Sequence, residues 1–233
     1  MRLSAHQPYF CPYPGFFYKA WLSDVLVLLD AVQFPRGASW LNRNRFKNDQ
    51  GELWLTVPVW KKGLGLQRID EVRICPEGRW RRKHLEALKT AYGKAPYLGE
   101  HLDFLEQMFS DRFTRLVDLN LTVIRYLLNC LGLKTRLVLL SELGVSIRGP
   151  YLLPEICRVL QADTFLALQQ VKKYLDPALF DAQGVRLTFC RYQAPVYPQL
   201  WGEFLANLST FDLLFTCGPK AMAIITQQQP GFN

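Results

Sequence analysis

No stretch of this sequence is long and apolar enough to cross a bilayer. The longest aliphatic runs, Val25–Leu29 and Leu137–Leu140, fall far short of the ~18 residues that a spanning helix needs, so membrane insertion is not expected. The opening residues Met1-Arg2-Leu3-Ser4-Ala5-His6-Gln7-Pro8 lack the continuous apolar core of a secretory signal, and a cytoplasmic location is expected. The six cysteines are scattered, with no two within four residues of each other, which argues against a zinc knuckle or a redox pair and predicts buried free thiols. There is no Walker loop and no Gly-x-Gly-x-x-Gly, so no nicotinamide or P-loop cofactor is expected. Ser141 sits outside any Gly-x-Ser-x-Gly turn, which leaves a hydrolase nucleophile without support. No metal-ligand spacing occurs, so no metal is expected. Histidines are scarce: His6, His84 and His101 are the whole supply for acid–base work near neutral pH.

Positive charge, by contrast, is in surplus. The 233 residues carry a formal net charge of +8 with 49% apolar residues, a globular composition with ample core. Between Arg36 and Lys94 there are 14 Lys+Arg against six acids, and the remainder of the chain is balanced. The excess gathers in Arg36, Arg43-Asn44-Arg45-Phe46-Lys47 and Arg79-Trp80-Arg81-Arg82-Lys83-His84. A solvated basic face satisfies this pattern. So does a phosphate-bearing small molecule, a phosphopantetheine carrier protein or a nucleic acid, because guanidinium forks bind phosphate through paired hydrogen bonds.

Strands are expected at Leu3–His6, Val25–Asp30, Leu53–Val59 and Val72–Cys75, with Gly15–Leu22 a short helix between the first two, making a βαβ unit. Spacings of three and four then predict helices over Trp80–Tyr92, Glu100–Phe109 and Asp111–Leu131. Alternation returns with strand Thr135–Leu140, helix Tyr151–Leu160, strand Thr164–Leu168, a turn after Asp176-Pro177 and strand Val185–Cys190. Helix Thr210–Cys217 closes the chain, with Ser209 as N-cap and Asp212 three residues on. The expected fold is a single α/β domain over residues 1–233: a mixed, largely parallel sheet flanked by helices, with a helical middle region and one conceivable subdivision near residue 95.

His6 is the leading candidate for chemistry, because it ends an apolar strand and opens the polar turn Gln7-Pro8-Tyr9, where open α/β sheets place ligands. A structural histidine at a strand end fits the same position. Asp30 ends the Val25–Leu29 run and would share the crevice if its strand neighbours the first. Arg43, Asn44, Arg45 and Lys47 form the candidate phosphate clamp. His84 and His101 are expected at the surface. The segment Gly144–Gly149 is a candidate lid or phosphate loop. Asp212 is explained as well by helix capping as by function.

Four segments, HQPYFCPYPGFFYKAWLSDVLVLLDAVQF, SWLNRNRFKNDQGELWLTVPV, YLDPALFDAQGVRLTF and YPQLWGEFLANLSTFDLLFTCG, resemble the WbqC-like protein family over nearly the whole chain. The resemblance implies a setting in the assembly of O-antigen and other surface polysaccharides or of specialised metabolites. It adds Gln33, Tyr174, Tyr197 and Gln199 to the candidate site residues, beside Gln7, Tyr9 and Asp212. The chain departs from the family pattern at Leu168-Gln169-Gln170-Val171-Lys172-Lys173. The initial strand, His-containing turn, helix and acid-ended strand also look like the start of nucleotidylyltransferases, but neither histidine of their His-x-Gly-His motif flanks Gly15.

The expected function is group transfer from an activated, phosphate-containing donor: an acyl or aminoacyl thioester on a carrier, an aminoacyl-tRNA, or a nucleotide sugar. His6 would act as general base or as a hydrogen-bond donor that orients the phosphate, and Asp30 as its orienter. Two alternatives stand beside it: an RNA or tRNA binder without chemistry, and a non-catalytic partner of a biosynthetic enzyme.

Overall fold

The computed structural model describes residues 1–227. Five strands, β1 (Arg2–His6), β2 (Val25–Leu28), β5 (Arg136–Leu139), β6 (Thr164–Leu168) and β7 (Arg186–Cys190), form one sheet in the order β5-β2-β1-β6-β7. All four pairings are parallel. The antiparallel component is segregated into a separate hairpin of β3 (Arg43–Asn48) and β4 (Gly51–Thr56). The chain winds outward from β1 in both directions, the arrangement of a doubly wound α/β sheet.

Alternation along each strand builds two cores, because successive side chains face opposite sides of a sheet. Leu3, Val25, Val27, Phe165 and Ala167 pack on one side beneath α5 (Leu152–Val159) and α6 (Pro177–Asp181). Leu26, Leu28, Leu166 and Leu168 face the other side. There they meet α1 (Pro14–Trp21), α2 (Trp80–Tyr92), α3 (Leu102–Met108), α4 (Leu116–Cys130), α7 (Thr210–Cys217) and α8 (Ala221–Thr226). Residue 95 lies inside this larger core: Ala95 is buried within it, and the Tyr97 N–H donates to the Phe215 carbonyl at 3.1 Å.

Several expectations are corrected. The Leu53–Val59 strand ends at Thr56 and belongs to the hairpin, not the sheet. Val72–Cys75 makes only isolated bridges, Ile74 with Val59 and Arg73 with Arg115. The Glu100–Phe109 helix begins as a tight 3-10 turn over Leu98–His101, and Asp111–Leu131 becomes helical only from Leu116. Among the described residues no helix is long and apolar enough to cross a membrane.

The sheet splits between β1 and β6. β1 and β2 stay in register over four residue pairs and β6 and β7 over five, but β1 and β6 pair only at Arg2–Thr164 and Leu3–Phe165. Beyond Leu3 the two central strands diverge. This is the topological switch point, where the winding reverses and a crevice opens at the carboxyl ends of the strands.

Candidate functional site

A cavity of about 630 Å³ fills that crevice, within the size range of small-molecule sites. Its floor is Ala5 and His6 from β1, Gln7 just beyond it, and Phe165–Leu168 from β6. Tyr9 and Tyr13 from the β1–α1 loop, Tyr192 beyond β7, and Trp40 form aromatic walls. The 3-10 turn Gln169–Tyr174, which contains most of the departure from the family pattern, supplies Gln170, Val171 and Tyr174 to the lining. Among the described residues no Asp or Glu lines the cavity, and neither does any Ser, Thr or Cys.

His6 stands on the floor, densely surrounded by protein yet with part of its surface open to the cavity. Its Nδ1 lies 2.8 Å from the Gln7 carbonyl. A carbonyl can only accept, so Nδ1 carries the proton and Nε2 keeps the lone pair. Tyr9 and Phe16 meet the ring edge to face, with centroids 4.4 and 4.8 Å away. Burial, then the nearby Lys19 charge, holds the His6 pKa well below the usual histidine value, against a small opposing effect of the Gln7 bond. The imidazole is therefore neutral at physiological pH.

Lys19 is the second basic group of the cavity. It projects from α1 into the gap between β1 and β6 and donates from Nζ to the Ala5 carbonyl at 2.7 Å. It is 5% exposed. Burial pushes its pKa down to about 7, with Cys190 pulling weakly the other way. Sequence reasoning passed over this residue, although a lone lysine within the apolar run Gly-Phe-Phe-Tyr-Lys-Ala-Trp carried a signal: a helix apolar on every side is buried on every side.

Arg45 reaches the cavity from β3, so the histidine at the amino end and the arginine-rich stretch some forty residues later do meet. Its fork is largely engaged: one guanidinium nitrogen pairs with Glu52 and another donates to the Ala206 carbonyl at 3.0 Å. Its Nε is buried without a partner. Asn44 also lines the cavity but is mainly a staple, its Nδ2 donating to the Phe10 and Cys11 carbonyls at 3.0 and 2.7 Å. Trp40, which lines the cavity, stacks on Trp54 with centroids 5.6 Å apart, and the Arg43 guanidinium lies 4.0 Å over Trp54; neither Arg43 nor Trp54 lines the cavity. The Tyr192 hydroxyl is buried with no partner.

Other expected site residues lie elsewhere. Asp30 is 2% exposed and does not line the cavity. Its carboxylate accepts from the Ser141 N–H at 3.0 Å and the Ser141 hydroxyl at 2.6 Å, which fastens β2 to the turn after β5. Lys47 is buried, and its Nζ donates to the Gln199 side chain at 3.2 Å and to the Glu203 carbonyl. Gln199 in turn clasps Leu205 through both amide atoms, at 2.8 and 2.9 Å. Asp212 does not close a capping box; it accepts from the Tyr92 hydroxyl at 2.7 Å. Tyr197 faces the same carboxyl group outside hydrogen-bond geometry, leaving its own oxygen and Asp212 Oδ1 without partners. Burial raises the Asp212 pKa, more than the Tyr92 bond lowers it. Gln33 is exposed in an isolated bridge with Arg68.

The remaining histidines are not simple surface groups. His101 is buried, its Nδ1 2.6 Å from the Tyr126 hydroxyl, and His84 is half-buried with Nε2 against the Thr56 backbone. Gly144–Gly149 and the basic start of α2 do not line the cavity.

The chain belongs to the WbqC-like protein family, which matches residues 7–224. It is 31% identical over 223 residues, covering 94% of this chain and 95% of the relative, to the uncharacterized protein Rv1507c of Mycobacterium tuberculosis. No solved structure matches it.

Proposed function

We propose that the protein is a biosynthetic group transferase whose acceptor sits in the cavity between β1 and β6 with His6 as its base. One observation carries this reading: a neutral imidazole, its Nδ1–H fixed on the Gln7 carbonyl and Nε2 left with a lone pair, lines a cavity at the sheet's switch point. A base of that kind takes a proton from an acceptor hydroxyl or amine as it attacks an activated group, an effect of about 10²–10⁴ in rate. The donor's anionic part is assigned to the side of the cavity lined by Arg45 and Trp40, with Trp54 and Arg43 stacked behind Trp40. Lys47 and Asp30 hold the frame and are not assigned to the reaction. The family's setting in surface-polysaccharide or specialised-metabolite assembly fits an acyl or aminoacyl donor or a nucleotide sugar, acting in the cytoplasm.

The test has two parts. Native mass spectrometry of the purified protein, and transfer assays with acyl and aminoacyl thioesters, aminoacyl-tRNA and nucleotide sugars, identify a donor. With that donor, His6→Asn is expected to lower kcat by about 10²–10⁴ while KM changes little. Unchanged kcat removes His6 from the mechanism, and inertness toward every donor class overturns the transferase reading.

The Trp40–Trp54 stack favours one competing reading, binding of single-stranded RNA, because stacked indoles beside arginine accept bases of any sequence. RNA affinity that falls steeply with salt and is unaffected by His6→Asn would establish it.

A further inference from the structure

We propose that Lys19 is an imine-forming amine, and that the cavity holds a small carbonyl compound, an aldehyde or an α-oxo acid, by reversible covalent attachment to its Nζ. This goes beyond the group-transfer reading, which gives Lys19 no role, and does not depend on it.

The case begins with position. Lys19 stands in the split between the two central strands, and its amine is held at a single point, the Ala5 carbonyl. No salt bridge involves Lys19 among the described residues, and no carboxylate lines the cavity around it. A buried ammonium without a counter-ion is costly, so the site favours the neutral amine, in keeping with the depressed pKa. A neutral amine donating one N–H to Ala5 keeps its lone pair for attack. With no Ser, Thr or Cys in the lining, Lys19 is the strongest nucleophile there.

Two further lining groups suit the chemistry. Tyr192 lines the wall, and its hydroxyl is buried with no hydrogen-bond partner among the described residues. His6 Nε2 accepts a proton. In the step, the Nζ lone pair attacks the carbonyl carbon to form a C–N bond, and the C=O π pair moves to oxygen, which takes up a proton. The nitrogen loses a proton to His6, giving a neutral carbinolamine. His6 returns its proton to the hydroxyl, which leaves as water, and the second N–H proton passes to solvent, replacing the one the oxygen took up, which leaves the neutral imine. Amine and carbonyl compound become imine and water, with no oxidant or reductant.

The test treats the intact protein at pH 7 with glyoxylate and sodium cyanoborohydride, whose hydride reduces the imine to a stable secondary amine, and maps carboxymethyl-lysine by peptide mass spectrometry. Lys19 is expected to be modified at least about tenfold faster than any exposed lysine, since an ordinary lysine titrates near 10.4 and is almost wholly protonated at that pH. Its labelling is expected to reach half its plateau rate near pH 7. Lys19→Met, which removes the amine and forms no imine, should abolish the selective adduct. Modification spread over exposed lysines with Lys19 unmodified, or Lys19 reacting no faster than they do, overturns the proposal. Because this readout uses the wild-type chain, it does not require that the variant fold.

Discussion

Asp30 shows how a carboxylate at the end of a buried strand can be spent on architecture. Both of its oxygens are committed to Ser141, so Asp30→Ala removes two charge-assisted hydrogen bonds that tie β2 to the turn after β5, a loss of about 1–3 kcal/mol. Urea denaturation should register that loss while glyoxylate trapping at Lys19 proceeds as in the wild type. Unaltered stability with lost turnover would instead return Asp30 to the reaction. Gly15 is constrained differently: a Cβ there would lie 2.4 Å from the Tyr13 ring and 2.7 Å from the Tyr192 ring. Both rings line the cavity. Gly15→Ala is therefore expected to cost about 1–3 kcal/mol through overpacking, and thermal denaturation measures it. At this scale the sequence makes the place of His6 readable, because an apolar strand that ends in a polar turn delivers its last residue to the sheet's carboxyl edge. Lys19 is hidden by convention: a charged residue in a helix reads as its solvent face, and only the bulky neighbours on every side bury it. The capping role expected of Asp212 failed because the buried Tyr92 phenol offers its carboxylate a partner across the core.

Among the elements, the loop between β1 and α1 matters most, since it carries Tyr9 and Tyr13 into the cavity wall. Two asparagines hold it from outside. Asn44 on β3 donates to Phe10 and Cys11, and Asn120 on α4 donates to Pro8 and Leu41, each at 2.7 Å. These bonds keep Cys11 at a φ of 46°, a conformation a side chain resists. Asn44→Ala removes both carbonyl partners at once and should lower stability by about 1–3 kcal/mol. Hydrogen exchange should then accelerate across residues 8–13 ahead of the rest of the fold. If that loop keeps its protection, the staple is not what holds it. The central strands are legible as short aliphatic runs and α2 from its spacing of three and four, whereas α1 is legible as the return connection between two parallel strands and α7 from its Ser209 N-cap. β3 is not, because Arg43, Arg45 and Lys47 look like a ligand-binding run, whereas Asn44, Phe46 and Lys47 are buried and alternate against β4. Burial of polar side chains depends on partners distant in the chain, such as Gln199 and Glu203 for Lys47, and local pattern does not contain them.

For the molecule as a whole, the buried ionisable groups set how stability follows pH. The folded state holds His6, His84 and His101 below their ordinary pKa, in each case chiefly through burial. Below about pH 6.5 the unfolded chain takes up protons on these rings that the folded chain refuses, so stability falls as pH falls. Lys19, at about 7 when folded, extends the same sign upward: between about 7 and 10.4 the unfolded lysine keeps a proton that the folded one has lost, and stability rises with pH. Each fully displaced group contributes a slope of about 1.4 kcal/mol per pH unit within its window. The opposite sign enters above about 8.5, where exposed thiols ionise but the buried Cys11, Cys157, Cys190 and Cys217 are pushed upward and stay protonated. Stability is thus expected to peak on the alkaline side of neutrality, with the urea midpoint higher at pH 8 than at pH 6. Lys19→Met should flatten the rise between pH 7 and 8 and leave the rise between pH 6 and 7 in place, because it removes the lysine and spares the histidines. A wild-type midpoint at pH 6 equal to or above that at pH 8 would mean that these groups titrate in the fold as they do in water, and the cavity floor would then be wetter than its packing implies.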